Sequence, residues 1–200
     1  MQKTTLFYFM FFLVCAVFSY LYASAAIAQS RSEEAVKFNN VKTPFGELFH
    51  ETELYDPALA IPDMVLIDQN GEESNLNVGT GKWRLINFWA SWCAPCINEI
   101  PTLLKLSYAR SGTNFEVVFI SLDFPSGNDE FLESSKKLGL NSHISSFFTP
   151  DYEVWPKLRL AAIPTSLVIS PEGQLKYKLV GDIDWMSKES LAFWDDLLDY

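Results

Sequence analysis

A Cys-x-x-Cys motif lies near the middle of the chain, between a segment typical of a buried strand and one typical of a helix. The apolar residues 84–90 precede the motif, Cys93-Ala94-Pro95-Cys96, and residues 97–108 follow it with helical periodicity. At the start of a helix this spacing places both sulfur atoms on one face, close enough to form a disulfide. The motif and its flanking segments therefore predict a cysteine pair at a strand-to-helix junction.

The start of a helix also favours negative charge on the first cysteine. The first four N–H groups of a helix have no intrahelical partner, and the helix dipole is positive there. We therefore expect Cys93 to ionise more readily than a free cysteine, as thiol–disulfide exchange requires. A structural disulfide and half of a zinc site are the alternatives. Zinc needs four ligands, and His50 and His143 are isolated in the sequence, so no metal site is predicted.

The first 28 residues have the pattern of a targeting segment. Lys3 is followed by no charge until Arg31, and residues 6–28 form an apolar run. Residues 26–28 (Ala-Ile-Ala) match a signal-peptide cleavage site, which would make Gln29 the first mature residue. The run is also long enough to span a bilayer uncleaved, as an anchor. Both interpretations stay open, and in both the basic residue directs the remainder of the chain outward.

The remainder of the chain has the composition of one acidic domain. The full sequence has 15 basic and 25 acidic residues, a formal net charge of −10. Such a charge, without a basic cluster, argues against nucleic acid and anionic lipid as partners. About 170 residues follow the targeting segment, enough for one domain with a core. Of three cysteines, only Cys93 and Cys96 lie outside the apolar run, so a framework of several structural disulfides is not expected.

Alternating strand and helix patterns predict an α/β domain over residues 61–200, after a linker or edge-packing segment at 29–60. Predicted strands cover residues 64–67, 72–76, 84–90, 116–124, 143–148, 166–169 and 174–180. Predicted helices cover residues 94–110, 129–138, 151–160 and 187–198, with Ser187 as an N-cap. The first two strands are expected to form a hairpin. This order predicts a mixed central sheet with helices on both faces.

The residues around the motif resemble those of thioredoxin-fold proteins. Residues 87–96 (NFWASWCAPC), Glu99 and Pro101, residues 163–165 (Ile-Pro-Thr) and Gly181 carry the resemblance. They are similar to the extracytoplasmic thiol–disulfide oxidoreductases of the TlpA, ResA and DsbE type. The resemblance covers roughly residues 61–200 and implies a thioredoxin fold. It also implies an N-terminal β-hairpin and a strand-helix insertion, around residues 139–160, before the strand that the proline opens.

The resemblance also implies roles for residues outside the motif. Pro164 is implied to form a cis peptide bond beside the cysteines, which leaves the backbone of Ile163 free to pair with an extended substrate. The alternative is a proline that opens a strand, with Thr165 merely beginning that strand. Glu99, on nearly the same helix face as Cys96, is implied to accept the proton of Cys96. From position alone, a water-exposed acid near the helix start is an equal alternative.

Asn87 and two tryptophans near the motif are also assigned roles. Asn87 occupies the position where classical thioredoxins carry a buried aspartate, so no proton transfer is available there, and we expect its side chain to bond to the backbone. Trp92 is predicted to shield the motif and contact the substrate, whereas Trp89 is predicted to pack in the core. Asp184 and Trp185 resemble a loop that faces the active site, but no role is assigned to them.

The function that the resemblance implies is thiol–disulfide exchange outside the cytoplasm, in the periplasm. Cys93 is the predicted nucleophile and Cys96 the resolving cysteine, and together they form the redox-active disulfide. The expected substrates are disulfides of exported proteins, for example in cytochrome c or copper-oxidase maturation. A membrane electron donor is expected to reduce the pair again, and no cofactor is expected.

Two alternatives stay open at this point. The first is a thiol oxidant or isomerase, because the sequence does not set the reduction potential closely enough to give the direction of electron flow. The second is a copper(I) chaperone that uses Cys93 and Cys96 as soft ligands. The next histidine after the pair, His143, is remote in sequence, so no third ligand is evident.

Overall fold

A computed structural model of the chain describes residues 51–76, 79–123, 127–141 and 143–198. Of residues 51–60 and Gly127 only the backbone is described. The predicted signal or anchor at 1–28 and the linker residues 29–50 lie outside these ranges. Among the helices in the described ranges, none combines the length and the apolar character that crossing a membrane requires.

The described strands form one mixed sheet. They are β1 (Glu51–Ala60), β2 (Val65–Asp68), β3 (Glu73–Asn75), β4 (Trp83–Trp89), β5 (Phe115–Ser121), β6 (Ser145–Phe148), β7 (Thr165–Ile169) and β8 (Gln174–Val180). Their order across the sheet is β1-β8-β7-β4-β5-β6-β2-β3. The pairs β4–β5 and β5–β6 are parallel, and the other pairs are antiparallel.

Helices lie between and after these strands. They are α1 (Ala94–Ala109), α2 (Gly127–Leu138), α3 (Val154–Lys157) and α4 (Lys188–Leu198). The Ser190 N–H donates to Ser187 Oγ at 3.2 Å, so the predicted N-cap of α4 is confirmed. β6 and α3 lie in the segment that the resemblance identifies as an insertion, and β2 pairs antiparallel with β3 as a hairpin.

The central strand β4 contributes side chains to two buried clusters, one on each face of the sheet. Leu85 and Trp89 pack in the cluster that contains the inner faces of α1 and α4. Ile86 and Phe88 pack in the other cluster, which contains residues of α3 and β2. Burial on both faces explains why the strand appears in the sequence as a continuous apolar run. The mixed sheet flanked by helices confirms the predicted fold class.

The structure departs from the sequence-based assignment at several elements. Residues 51–60, assigned to the linker, form β1 on β8, with a register shift between Leu54 and Leu59. The sequence analysis missed this strand because it contains Pro57, and within sheets proline is confined to edge strands, strand starts and bulges. The helix predicted at 151–160 is wrong in extent: only Val154–Lys157 is helical. Arg159 follows with a φ of 50°, a conformation that cannot continue a helix.

Candidate active site

The cysteine pair lies where β4 leads into α1. Cys93 and Cys96 form a disulfide, and their Cα atoms are 5.3 Å apart. Cys93 is the N-cap of α1, and its Sγ accepts a hydrogen bond from the Cys96 N–H at 3.3 Å. Pro95 lies in the first turn, where its missing N–H removes no intrahelical hydrogen bond. The helix start therefore directs an N–H group at the sulfur that is predicted to carry negative charge.

The two sulfurs differ in access to solvent. The Cys93 residue is 5 % exposed and the Cys96 residue 0 % exposed. Trp92, immediately before the pair, is 61 % exposed and is the most exposed of the large apolar residues in the described ranges. Cys93 is therefore the more exposed residue of the pair. Trp89, in contrast, is fully buried in the core as predicted.

The segment before β7 packs against the cysteine pair. The Ile163–Pro164 peptide bond is cis, and the Ile163 carbonyl oxygen lies 3.7 Å from Cys93 Sγ. The carbonyl oxygen of Pro164 accepts from the Gly181 N–H at 2.9 Å. Thr165 begins β7 with a buried side chain, whose hydroxyl donates to the Ala162 carbonyl at 2.7 Å. The predicted cis bond beside the motif is thus present, and Thr165 presents no free side-chain group.

Glu99 lies one helical turn after Cys96 and is buried. Only 3 % of the residue is exposed, so the alternative of a water-exposed acid is wrong. Its Oε1 accepts from Asn87 Nδ2 at 2.6 Å. Its Oε2 accepts from the Ile183 N–H at 3.1 Å and from Trp185 Nε1 at 3.3 Å. Burial raises the pKa of Glu99 to about 7, although the three donors act to lower it.

The loop after β8 supplies two of these donors, a role that sequence reasoning did not assign. Trp185 is fully buried, and its backbone N–H donates to Thr102 Oγ1 at 3.3 Å. The Thr102 hydroxyl in turn donates to the Glu99 carbonyl at 2.8 Å. Helix α1 thus holds the loop through both Glu99 and Thr102. The likeness of Asp184 and Trp185 to a loop that faces the active site was the available signal.

Asn87 bonds to side chains, so the predicted bond to the backbone is wrong. Its Nδ2 donates to Glu99 Oε1 and, at 3.0 Å, to Ser166 Oγ. The cause is the position of β4 between β5 and β7, since both backbone edges at Asn87 are paired within the sheet. Among the described residues, Asn87 Oδ1 has no hydrogen-bond partner although it is buried.

A second buried carboxylate, which the sequence analysis did not single out, holds the turn before Cys93. Asp123 is fully buried just beyond β5. Its Oδ1 accepts from the Ser91 N–H at 2.7 Å and from Ser91 Oγ at 2.8 Å, and its Oδ2 accepts from Ser121 Oγ at 2.6 Å. The carboxyl end of β5 thus positions the end of β4, where the motif begins.

Two thiolates can hold copper(I), and a third ligand near the cysteine pair would strengthen the copper chaperone alternative. Within the described part of the chain, no group of three or more His, Cys, Asp or Glu side chains is placed to hold a metal ion. Cys93 and Cys96 are joined to each other in this structure. The described part of the structure therefore adds no ligand to Cys93 and Cys96.

Comparison with protein families and curated proteins gives consistent matches. The AhpC/TSA family matches residues 57–178, more than half of the chain. The ResA thiol-disulfide oxidoreductase of Geobacillus thermodenitrificans is 27 % identical over 149 residues, which cover 74 % of this chain and 82 % of that protein. ResA of Bacillus subtilis is 26 % identical over 141 residues, 70 % of this chain and 75 % of that protein.

Two solved structures illustrate the likeness in fold. A putative thiol:disulfide interchange protein DsbE from Chlorobium tepidum has a TM-score of 0.57 and 24 % identity, covering 71 % of this chain and 95 % of its own. StoA from Bacillus subtilis has a TM-score of 0.54 and 23 % identity, and the match covers 70 % of this chain and 99 % of the StoA chain. These likenesses confirm the thioredoxin fold. With its Cys93–Cys96 disulfide, the chain is a thiol–disulfide oxidoreductase that belongs to the AhpC/TSA family.

Proposed function

We propose that the protein is an extracytoplasmic reductant of disulfides in exported proteins, with Cys93 as the nucleophile and Cys96 as the resolving cysteine. The observation that carries this proposal is the placement of the three reacting groups on one helix. Cys93 caps the helix beside the exposed Trp92, and Cys96 and Glu99 follow it along the helix and are buried. The carboxyl group is thus one turn from the buried sulfur and out of contact with bulk water.

The proposed cycle begins with the Cys93 thiolate. It attacks one sulfur of the partner's disulfide, so the partner's S–S bond breaks and a mixed disulfide forms. Glu99 accepts the proton of Cys96, whose thiolate then attacks Cys93 Sγ. The Cys93–Cys96 disulfide forms, and the partner leaves as a dithiol with two electrons, the proton held by Glu99 and one proton from solvent. A membrane electron donor then returns two electrons to the pair, and Cys96 takes up one proton while Cys93 is released as the thiolate.

The surface around Cys93 is the proposed docking site. Trp92 offers an exposed apolar ring, and the backbone of Ile163 lies against Cys93 Sγ. An extended segment of the partner would pair with this backbone and place its disulfide at the sulfur. Pro164 and Thr165 are both buried, and their proposed role is to hold the backbone of Ile163 in place. Thr165 contributes through the backbone, because its side chain is fully buried and its hydroxyl proton is donated to Ala162.

The proposed location and direction have separate supports. The apolar residues 6–28 fit export, either as a signal peptide or as an anchor that keeps the protein at the membrane. Curated relatives are named ResA, a thiol-disulfide oxidoreductase, and a solved structure of the same fold is named as a putative DsbE. The residues between the cysteines, Ala94 and Pro95, resemble those of reducing members. Disulfides between apocytochrome c cysteines, or between the cysteines of a copper site under assembly, are the proposed substrates.

Trapping in the native host tests the assignment of the two cysteines. In the Cys96→Ser variant the mixed disulfide on Cys93 cannot be resolved, so we expect exported proteins to accumulate on it. The reciprocal Cys93→Ser variant is the matched control and should trap little. If Cys93→Ser traps partners while Cys96→Ser traps none, the attacking and resolving roles are reversed.

Two measurements test the direction of electron flow and the copper alternative. We expect Cys93 and Cys96 to be mainly reduced in the native host, with a potential well below that of the strong oxidant DsbA, which is about −120 mV. A potential near that value, with the pair oxidised in cells, would favour an oxidant. Tight copper(I) binding by the reduced protein would favour a copper chaperone, and its absence removes that alternative.

A further inference from the structure

We propose that Asn87 is a positioning residue that serves both protonation states of Glu99. It donates from Nδ2 to the carboxylate and turns its amide over to accept at Oδ1 from the carboxylic acid. This inference rests on the proposed role of Glu99 as the proton acceptor of Cys96. It is carried by the hydrogen bonds of Asn87, Glu99 and Ser166 and by the buried Asn87 Oδ1, which has no partner among the described residues.

The distribution of donors indicates which oxygen of Glu99 takes the proton. Oε2 already accepts from two N–H groups, those of Ile183 and Trp185, and neither group can accept a hydrogen bond. Among the described residues, Oε1 accepts only from Asn87 Nδ2, and a side-chain amide can exchange its donor for an acceptor. We therefore place the proton of the neutral acid on Oε1, with its O–H directed at Asn87.

An amide that stays fixed cannot bond to that proton. Nδ2 is a donor only, so it would face the O–H of the protonated Glu99. A half turn of the Asn87 amide about its last side-chain bond exchanges the positions of Nδ2 and Oδ1. The acid then donates to Oδ1 at the same separation, and 2.6 Å lies within the usual range for O–H···O bonds.

The neighbours of Asn87 allow this turn. The Ser166 hydroxyl accepts from Nδ2 at 3.0 Å in the present arrangement, and the same hydroxyl can rotate to donate to Oδ1 after the turn. The turn breaks no hydrogen bond of Oδ1, because Oδ1 has no hydrogen-bond partner among the described residues. The charge of Asp182 favours protonation of Glu99, and it does so in both orientations of the Asn87 amide. An aspartate at position 87 offers only part of this pairing, and a leucine offers none of it.

Nuclear magnetic resonance of the oxidised full-length protein tests the turn directly. With labelled Asn and Glu, a coupling across the hydrogen bond from Asn87 Nδ2 to the Glu99 carboxyl carbon reports the donating amide. We expect the coupling at pH 9 and its loss at pH 5, with the same midpoint as the Glu99 carboxyl resonance. A coupling that persists at pH 5 shows a fixed donor and overturns the proposal.

Substitutions give a second test through the titration midpoint of Glu99. If Asn87 supports both states, Asn87→Leu removes support from both, and the midpoint moves by less than roughly half a unit. A fixed donor predicts a rise of about one unit or more, because only the carboxylate loses its partner. Asn87→Asp should raise the midpoint strongly, since two buried carboxylates would share one proton. Ser166→Ala is the matched control that keeps the bond between Asn87 and Glu99.

A kinetic measurement separates this inference from the proposed function. The rate at which Cys96 resolves the mixed disulfide, recorded against pH, should lose its step near pH 7 in Glu99→Gln. If that step survives in Glu99→Gln, the proposed role of Glu99 as proton acceptor fails. The resonance measurement on Asn87 does not depend on this rate, so each idea can fail alone.

Discussion

The indole Nε1 of Trp185 donates to Glu99 Oε2 at 3.3 Å, although the two residues are 86 positions apart in the chain. This contact joins the loop after β8 to the helix that carries both cysteines. The neighbouring Ile183 N–H donates to the same oxygen at 3.1 Å. The loop therefore stabilises the ionised form of a carboxyl group whose burial favours the neutral form.

Loss of the indole donor should raise the pKa of Glu99 further. In Trp185→Phe the ring still fills the core, but the ionised Glu99 loses one hydrogen bond. We expect the pKa to rise from about 7 by roughly half a unit to one unit, since one unit is worth about 1.4 kcal/mol. The measurement is the carboxyl carbon resonance of Glu99 against pH.

Trp194→Phe is the matched control for this substitution. Trp194 is equally buried, and its Nε1 has no hydrogen-bond partner among the described residues. The control should leave the titration of Glu99 where it is in the unsubstituted protein. Equal shifts in the two variants would show that core packing, not the indole bond, controls Glu99.

Glu99 should make the oxidised protein less stable as the pH rises. Its pKa is about 7 in the folded protein, against an ordinary value of 4.5, so the folded protein holds a proton that the unfolded chain has lost. Stability from this group is therefore lost between these two values as the pH increases. Relative to Glu99→Gln, we expect the free energy of unfolding to fall by roughly 2 to 3 kcal/mol from pH 5 to pH 8.

Urea unfolding of both proteins at several pH values measures this difference. The comparison with Glu99→Gln cancels the contributions of the other titrating groups. Parallel stability curves for the two proteins would contradict the expectation, because they would show no difference in proton binding by Glu99 between the folded and unfolded states.

Removal of the Asp123 carboxylate should weaken the turn before the cysteines. In Asp123→Ala, the Ser91 N–H and the hydroxyls of Ser91 and Ser121 lose their acceptor in a buried position. Hydrogen bonds to a charged group are strong, and a buried donor without a partner is costly, so we expect a loss of roughly 2 to 4 kcal/mol. Urea unfolding measures it. The exposed Asp196→Ala is the control, and an equal effect in both would rule out the structural role of Asp123.

The apolar face of α1 should contribute much of the stability around the disulfide. Leu103 is fully buried, and Leu103→Ala should lower the free energy of unfolding by roughly 2 to 5 kcal/mol through lost contacts and the cavity left behind. Tyr108 lies on the same helix and is largely exposed, so Tyr108→Ala should change the value by less than about 0.5 kcal/mol. Similar losses in both variants would contradict the packing of α1 against the sheet.

The strongest sequence signals were local. The apolar run of β4, the spacing of Cys93 and Cys96 and the start of α1 lie within a short stretch of chain, so backbone geometry alone relates them. Ser187 likewise caps its own helix. In contrast, β1 was missed, because Pro57 is a turn signal locally and only pairing with β8 makes residues 51–60 a strand.

The sequence by itself determined that a cysteine pair begins a helix after a buried strand, because the interactions that place it act between near neighbours. Only the tertiary structure decided what surrounds the pair. Glu99 is buried rather than exposed because the loop at Ile183 and Trp185 closes over it. Asn87 meets that carboxyl group, instead of the backbone, because both neighbouring strands already pair with β4. These contacts join residues that are far apart in sequence, and periodicity and spacing carry no information about such distances.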